Sequence, residues 1–451
     1  MPAKGQPAVE PALAMDRLPD ELAKFLSRDT YSLVIKGESG TGKTILALTI
    51  LKALQPLENV LYVSTRTSPV QLFEYYPWIE EIFGPPGPLK DFADKEGAEG
   101  WETLVDSRLD EPNVVFERVT NVLMDKQAPV VVIDSWEALA EGLGSEALRT
   151  NIRVLETWRE RAGARFIFIG EDPSNSAIDF MVEGVVVLKD RTMGGRRLRE
   201  ITLPKLHGVR ITRLSHFFTL NGGSFRSLPD YSPGDYSFSK PLPIRLDRPL
   251  HREKGRIPTG HASLDAVLKG GFPSKSVAFV EVDDAVDARA GLVLVNKLVQ
   301  DWASSGGTVV MQRPRGIEER FVTQYGKSFM GAKAKTGMIV LDGSEGSQRL
   351  LGRLKQRAKI LAVASPQTGG REGTKDWEET VNFLQEKADL TIIFGRPDLK
   401  GPAVEGAETR LRLLQIDGTL FLQSEVPWSP LLGVIPTMTA GNPMIQLEPL
   451  V

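Results

Sequence analysis

Apolar residues in the first half of the chain come as short unbroken runs separated by amphipathic stretches. The runs are "YSLVIK" (31–36), "NVLYVS" (59–64), "PVVVIDS" (129–135), "ARFIFIG" (164–170) and "GVVVLKD" (184–190). Between them, apolar positions fall three and four apart in "KTILALTILKAL" and near Pro69 to Phe83, Asn113 to Met124 and Glu146 to Arg161, the spacing of one buried helix face. Continuous apolar strands alternating with helices predict an α/β fold whose mostly parallel sheet is covered by helices on both faces. "GPPGPLKDFADKEGAEG" predicts a surface loop. "RRLREITLPKLHGVRITRLSHFFTLNGG" (196–223) predicts strands, antiparallel in style.

The pattern then lapses and returns. Residues 1–20 read as a loose leader, 21–225 as a first domain, 226–256 as a Pro-, Ser- and charge-rich linker, and 257–451 as a second domain. The second domain reads as a repeat of the first. "LVIKGESGTGKTILALTILKALQ" (33–55) laid over "AFVEVDDAVDARAGLVLVNKLVQ" (278–300) matches Lys52 to Lys297 and Gln55 to Gln300. The same offset carries Pro69 onto Pro314. Further on, "ADLTIIFGR" (388–396) resembles "VEGVVVLKD" (182–190).

One interruption in the first domain carries chemistry. After the first run comes "GESGTGKT", Gly37, Glu38, Ser39, Gly40, Thr41, Gly42, Lys43 and Thr44, which satisfies G-x4-G-K-[ST]. Its glycines let backbone N–H groups turn inward against phosphate oxygens, and the following helix points its positive end at the same place. Lys43 would reach the β- and γ-phosphates of ATP, and the Thr44 hydroxyl would bind Mg²⁺. The ion needs a carboxylate at the end of a neighbouring strand. Asp134 in "PVVVIDS" fits; the plainer reading is that it caps the next helix.

These residues resemble the RecA superfamily, and within it the KaiC branch of ATPases. The motifs are "GESGTGKT", "LYVSTRTSPVQL", "VVVIDSWEAL", the stretch from Glu183 to Phe225, and "IPTGHASLDAVLKGGFPSKSVAFVE" at the start of the second copy. The resemblance covers most of Leu33 to Phe225 and, more weakly, Ile257 to about Gln423. The chain is most similar to gas-vesicle protein D, an archaeal regulator family. That resemblance implies two RecA-like domains and an ATP-binding regulator acting on a protein partner in signalling or transcription, with homo-oligomers in some relatives. Efficient hydrolysers of the branch place two glutamates after the second strand; Arg66 and Thr67 stand there here. Arg66 cannot accept a proton. It would pair with a γ-phosphate or hold a neighbouring carboxylate, leaving Glu38, Glu137 and Glu171 as substitute bases and slow turnover as the expectation. In ring-forming relatives a Lys and an Arg contact the neighbour's γ-phosphate. Lys205 matches the first, His207 stands in place of the second, and Arg210 follows. A working ATPase, recombinase-like or autokinase, is the alternative reading; a scaffold that binds no nucleotide is a third.

In the second copy Gly37, Gly40, Gly42, Lys43 and Thr44 become Val282, Ala285, Asp287, Ala288 and Arg289. Asp283, Asp284 and Asp287 crowd a place meant for a polyanion, so no nucleotide is expected there. A basic stretch holds Lys189, Arg191, Arg196, Arg197, Arg199, Lys205, Arg210 and Arg213 against Asp190 and Glu200. It reads as a solvated strand face, a set of fingers in trans, or a patch for nucleic acid or an acidic partner.

Bulk composition narrows the classes. At 451 residues and 41% hydrophobic the chain can build two cores, and its formal net charge of −3 leaves no global basic field. With no cysteine, thiolate chemistry and cysteine metal sites are excluded. The four histidines, His207, His216, His251 and His261, lack ligand spacing. No apolar run has the length of a signal-peptide core or a membrane span, so a cytoplasmic protein is expected.

Overall fold

The computed structural model describes residues 15, 17–54, 59–85, 103–172, 177–243, 250, 253–314, 316–331, 337–341, 359–365 and 370–451. Most of the expected leader, and most of the loop expected from 84 to 100, lie outside these residues. The chain divides into two compact units, Met1–Ser227 with Val451, and Leu228–Leu450. The stretch expected as a linker gives Leu228 and Tyr236 to the buried set of the second unit, where Tyr236 packs in its main core.

The first unit is built on nine strands: β1 Tyr31–Gly37, β2 Val60–Ser64, β3 Leu104–Asp106, β4 Val130–Asp134, β5 Arg165–Gly170, β6 Gly184–Met193, β7 Arg196–Leu206, β8 Ser215–Thr219 and β9 Arg226–Ser227. Their order in the sheet is β3-β2-β4-β5-β1-β6-β7-β8-β9. The first six are parallel, and β6 to β9 follow as an antiparallel meander. Every residue of β1 is buried. Leu33 and Ile35 face one core and Val34 the other, because side chains alternate across a strand. That is why its apolar run is unbroken.

The second unit opens with a short pair, β10 Arg256–Ile257 and β11 Phe272–Pro273, and then repeats the plan. Its strands are β12 Ser276–Val282, β13 Thr308–Gln312, β14 Met338–Leu341, β15 Ile360–Ala364, β16 Leu390–Gly395, β17 Thr409–Ile416, β18 Thr419–Val426, β19 Leu432–Thr439 and β20 Asn442–Pro449. They run in the order β14-β13-β15-β16-β12-β17-β18-β19-β20, which is the first sheet's order strand for strand. The chain is therefore two tandem α/β domains of RecA-like plan.

The repeat also corrects two details of the sequence alignment. An offset of 245 carries β1 onto β12 and the helix start Lys43 onto Ala288, but β2 Val60–Ser64 answers to β13 Thr308–Gln312, three residues later. The second copy's helical segment is longer, Ala288–Leu294 followed by Asn296–Ser304, against Lys43–Ala53. Pro69 opens a helix, while the helix after β13 opens at Glu319, so Pro69 and Pro314 are not equivalent. "ADLTIIFG" is β16, which occupies the place of β5 between its neighbours, not that of β6. Central strands buried on both faces look alike in sequence; only their pairing tells them apart.

Beside β1, the middle strand of the first sheet, a buried ion pair fixes a helix. Lys36 Nζ lies 2.8 Å from Asp179 Oδ2, with Lys36 2% exposed. Asp179 belongs to the short helix Ala177–Met181, and its carbonyl accepts from Lys205 Nζ at 2.9 Å. Among the described residues no helix is long and apolar enough to cross a membrane.

Candidate functional site

The site forms where β1 ends. Gly37 has φ +153°, and a Cβ there would come within 2.5 Å of the Leu188 carbonyl oxygen. Gly42 has φ +99°, and its Cβ would meet Leu220 Cδ1 at 2.6 Å. Both positions need glycine for conformation and for space. Gly42 is also the N-cap of the helix Lys43–Ala53 and offers no side-chain acceptor to it, so the helix's first N–H groups stay available. In the loop, the N–H groups of Glu38, Ser39, Gly40 and Gly42 find no acceptor among the described residues, while Thr41 donates to the Glu38 carbonyl at 3.4 Å.

Carbonyls of the same loop hold its lysine. Lys43 Nζ donates to Gly37 O at 2.7 Å and to Glu38 O at 2.8 Å. Burial pushes the Lys43 ammonium below the usual lysine range, opposed by the negative charges of Glu171, Asp134 and Glu137. An ammonium parked on two carbonyls is positioned to transfer to phosphate oxygens.

Thr44 and Asp134 meet as the motif predicts. Thr44 Oγ1 donates to Asp134 Oδ2 at 2.9 Å, and the Tyr62 hydroxyl donates to the same oxygen at 2.7 Å. Asp134 ends β4 and does not cap the helix Trp136–Ala140, whose N-cap is Ser135. The Asp134–Ser135 peptide is cis. Burial pushes the Asp134 carboxyl above its ordinary value, while the hydrogen bonds from Tyr62 and Thr44 and the charge of Lys43 pull it down. A hydroxyl beside a carboxylate on a strand end suits a hard cation that keeps several of its waters. Among the described residues no cluster of three or more His, Asp or Glu could hold a metal ion.

The sign of the Asp134 shift gives a prediction. Between the ordinary carboxylate range and its raised value the folded chain holds more protons than the unfolded one, so stability falls as pH rises through that window. At neutral pH the ionised group carries the full cost. Asp134→Asn keeps acceptors for Tyr62 and Thr44 and should stabilise the chain by ~0.5–2 kcal/mol, the usual scale for relieving a functional site. It should also weaken magnesium-dependent nucleotide binding. A higher melting midpoint at pH 7 together with weaker binding is the expected pair of results.

The substitute bases separate. Glu38 is exposed and takes part through its carbonyl. Glu137 Oε1 accepts from the Glu171 N–H at 2.8 Å, and its Oε2 is buried without a hydrogen-bond partner. Glu171 pairs with Arg66. Arg66, just past the end of β2, thus holds a carboxylate that directly follows β5.

Of the basic stretch, Arg197 and Arg199 pair with Asp190 at 2.9 and 3.0 Å, and Arg191 with Glu200 at 3.1 Å. Arg199 is buried and turns inward: its Nη1 lies 3.2 Å from Gly40 O and 3.3 Å from Thr41 O. It braces the loop's outer side. Lys205 is held by Asp179 O, whereas His207 and Arg210 are exposed. Sequence reasoning missed the contributions of Tyr62, Thr65 and Arg199. Thr65 Oγ1 accepts from the Ser135 N–H at 2.7 Å, tying β2 to β4. A tyrosine inside the otherwise apolar "VLYVS" was the visible signal for Tyr62.

The second copy closes the equivalent place. Asp283 N–H donates to Leu413 O, Val286 N–H to Asp283 O, Ala290 N–H to Asp287 O, Asp287 N–H to the Tyr231 hydroxyl and Arg289 N–H to Asp287 Oδ1. Of the donors that stand open in the first loop, those at the places of Glu38 and Gly42, now Asp283 and Asp287, are spent here, while Asp284 and Ala285, like Ser39 and Gly40, find no acceptor for their N–H groups among the described residues. Arg289 folds back on Asp287 through two bonds of 2.9 and 2.7 Å. Arg396, just after β16, donates to Val282 O at 3.3 Å, Val286 O at 3.1 Å and Asp283 O. Arg396 thus holds three carbonyls of this loop where the first loop's carbonyls hold Lys43.

Comparison with known proteins agrees with this geometry. The family model described as the GvpD gas vesicle protein P-loop domain matches residues 22–204. Protein GvpD2 of Halobacterium salinarum is 27% identical over 96% of this chain and 96% of its own length. Protein GvpD1 of the same organism is 27% identical over 66% of this chain and 56% of its own.

Proposed function

Because this chain belongs to the gas-vesicle protein D family of P-loop proteins, we propose that it is a regulator whose first domain uses ATP and Mg²⁺ as a conformational or assembly switch. The observation that carries this reading is the contrast between the two loops. The first keeps the N–H groups of Glu38 and Gly42 open and its lysine parked within reach; the second has spent the matching N–H groups, those of Asp283 and Asp287, internally and carries no lysine there. The β- and γ-phosphates would displace the Gly37 and Glu38 carbonyls from Lys43 and take up the open N–H groups. Thr44 and Asp134 would hold the metal with its waters. Each charge-assisted contact is worth more than the neutral one it replaces.

The carboxylates near Lys43 are engaged in holding the site: Glu171 by Arg66, Glu137 by the Glu171 N–H. Hydrolysis would therefore be slow and would reset the switch. A cytoplasmic protein partner reads the loaded state, through the domain's surface or through homo-oligomers in which Lys205, His207 and Arg210 face a neighbour's phosphate. The KaiC-like ring ATPase is the rival.

The test is equilibrium titration of the full chain with a fluorescent ATP analogue and Mg²⁺, alongside steady-state phosphate release. One nucleotide per chain, bound only with Mg²⁺ present and turned over slowly, is expected. Two per chain, or none, would remove the asymmetry on which the reading stands; fast turnover would favour the rival.

A further inference from the structure

The ion pair between Arg66 and Glu171 joins two strand ends that flank Asp134. β2 and β5 lie on either side of β4. Arg66 follows the end of β2, and Glu171 directly follows β5. The pair thus spans the mouth of the site above the carboxylate that Thr44 touches. Both residues also act on the phosphate lysine: Glu171 is the foremost charge on Lys43, and Arg66 acts there with the opposite sign. A group that reached beyond Lys43 would meet this pair first.

Three features make the pair exchangeable. Its side chains are 49% and 35% exposed, and ion pairs at such exposure hold little stability. Glu171 is anchored independently, by the bond from its backbone N–H to Glu137 Oε1, so it stays in place when Arg66 leaves. Arg66 sits in a loop whose neighbours are tied down: Thr65 donates its N–H to Asp134 O at 2.6 Å, and Ser64 Oγ donates to Thr67 O at 2.6 Å. Its guanidinium can swing while its backbone remains fixed to β4. A guanidinium offers a planar fork that fits a terminal phosphate as well as a carboxylate, and a terminal phosphate carries more charge than Glu171.

We infer that Arg66 reads the terminal phosphate of a nucleoside triphosphate, leaving Glu171 for it, and so sets the preference of this site for triphosphate over diphosphate. This rests on the nucleotide-binding reading above and adds the residue that tells the two ligands apart. Glu171 is a competitor of the ligand for Arg66, and the diphosphate-bound site keeps the Arg66–Glu171 pair closed.

Binding of fluorescent ATP and ADP analogues with Mg²⁺ is measured on the full chain for wild type, Arg66→Gln, Glu171→Gln and the double variant. Arg66→Gln is expected to weaken ATP binding about tenfold, the loss of one charge-assisted contact, with ADP binding unchanged. Glu171→Gln should strengthen ATP binding a few-fold and leave ADP unchanged, because the competitor is gone. The double variant should match Arg66→Gln. Equal losses for both nucleotides, or an unchanged ratio in Arg66→Gln with wild type still binding, overturn this inference alone. Wild type binding neither nucleotide overturns it together with the nucleotide reading. Thermal melting confirms that these exposed substitutions leave the fold intact.

Discussion

Replacing Lys43 with alanine is expected to lower the affinity of the full chain for Mg²⁺–ATP by at least ~10²-fold, from the loss of two charge-assisted contacts. The melting midpoint should scarcely move. In the free loop the Lys43 ammonium serves two carbonyls, Gly37 O and Glu38 O, at the expense of its own hydration. Removing it exchanges two hydrogen bonds for a relieved desolvation cost, so the net effect on stability should stay within about 1 kcal/mol. Titration with a labelled nucleotide and a thermal scan check both halves. A variant that binds as tightly as wild type would mean that phosphate does not sit in this loop. The depressed lysine also sets a sign for pH. Binding needs the charged form, so affinity should decline on the alkaline side earlier than an ordinary lysine would predict.

The largest stability effect is expected away from the loop, at Asp179. Its carboxylate faces Lys36, which sits in the middle sheet strand at 2% exposure. Asp179→Ala would leave that ammonium buried without its carboxylate, a loss of about 3–5 kcal/mol for such pairs. Replacing both residues together, Lys36→Met with Asp179→Leu, should recover most of it, because two apolar side chains carry no buried charge. Chemical denaturation of the wild type and the two variants separates these outcomes. A single variant as stable as wild type would show that the pair is solvated in solution. The cost has a functional side: Lys36 directly precedes Gly37, so the pair pins the strand end from which the phosphate loop springs.

Much of this was legible in the sequence. The strands around the loop, the helix behind it and the pairing of Thr44 with Asp134 followed from an apolar run, a glycine pattern and a second apolar run ending in aspartate. β3 was not legible, because Leu104–Asp106 is three residues long and too short to show a period. The strand run β17 to β20 of the second copy was not assigned either: β17 and β20 mix buried and half-buried positions, so their apolar signal is diluted. Arg199 stood among eight basic residues with nothing in the sequence to show that it turns toward Gly40 and Thr41.

What the sequence determined by itself is local. Gly-rich backbone freedom, a helix start and a lysine six residues after Gly37 are properties of adjacent residues, and they specify a phosphate loop in the first copy and its loss in the second. What tertiary structure decided is which distant groups share the site. Arg66 meets Glu171 across the end of β4, Tyr62 joins Thr44 on Asp134, and Arg396 closes the second loop because sheet order brings together strand ends that lie far apart along the chain. Strand order depends on crossover connections and core packing summed over the whole domain, and no short stretch of sequence contains that sum.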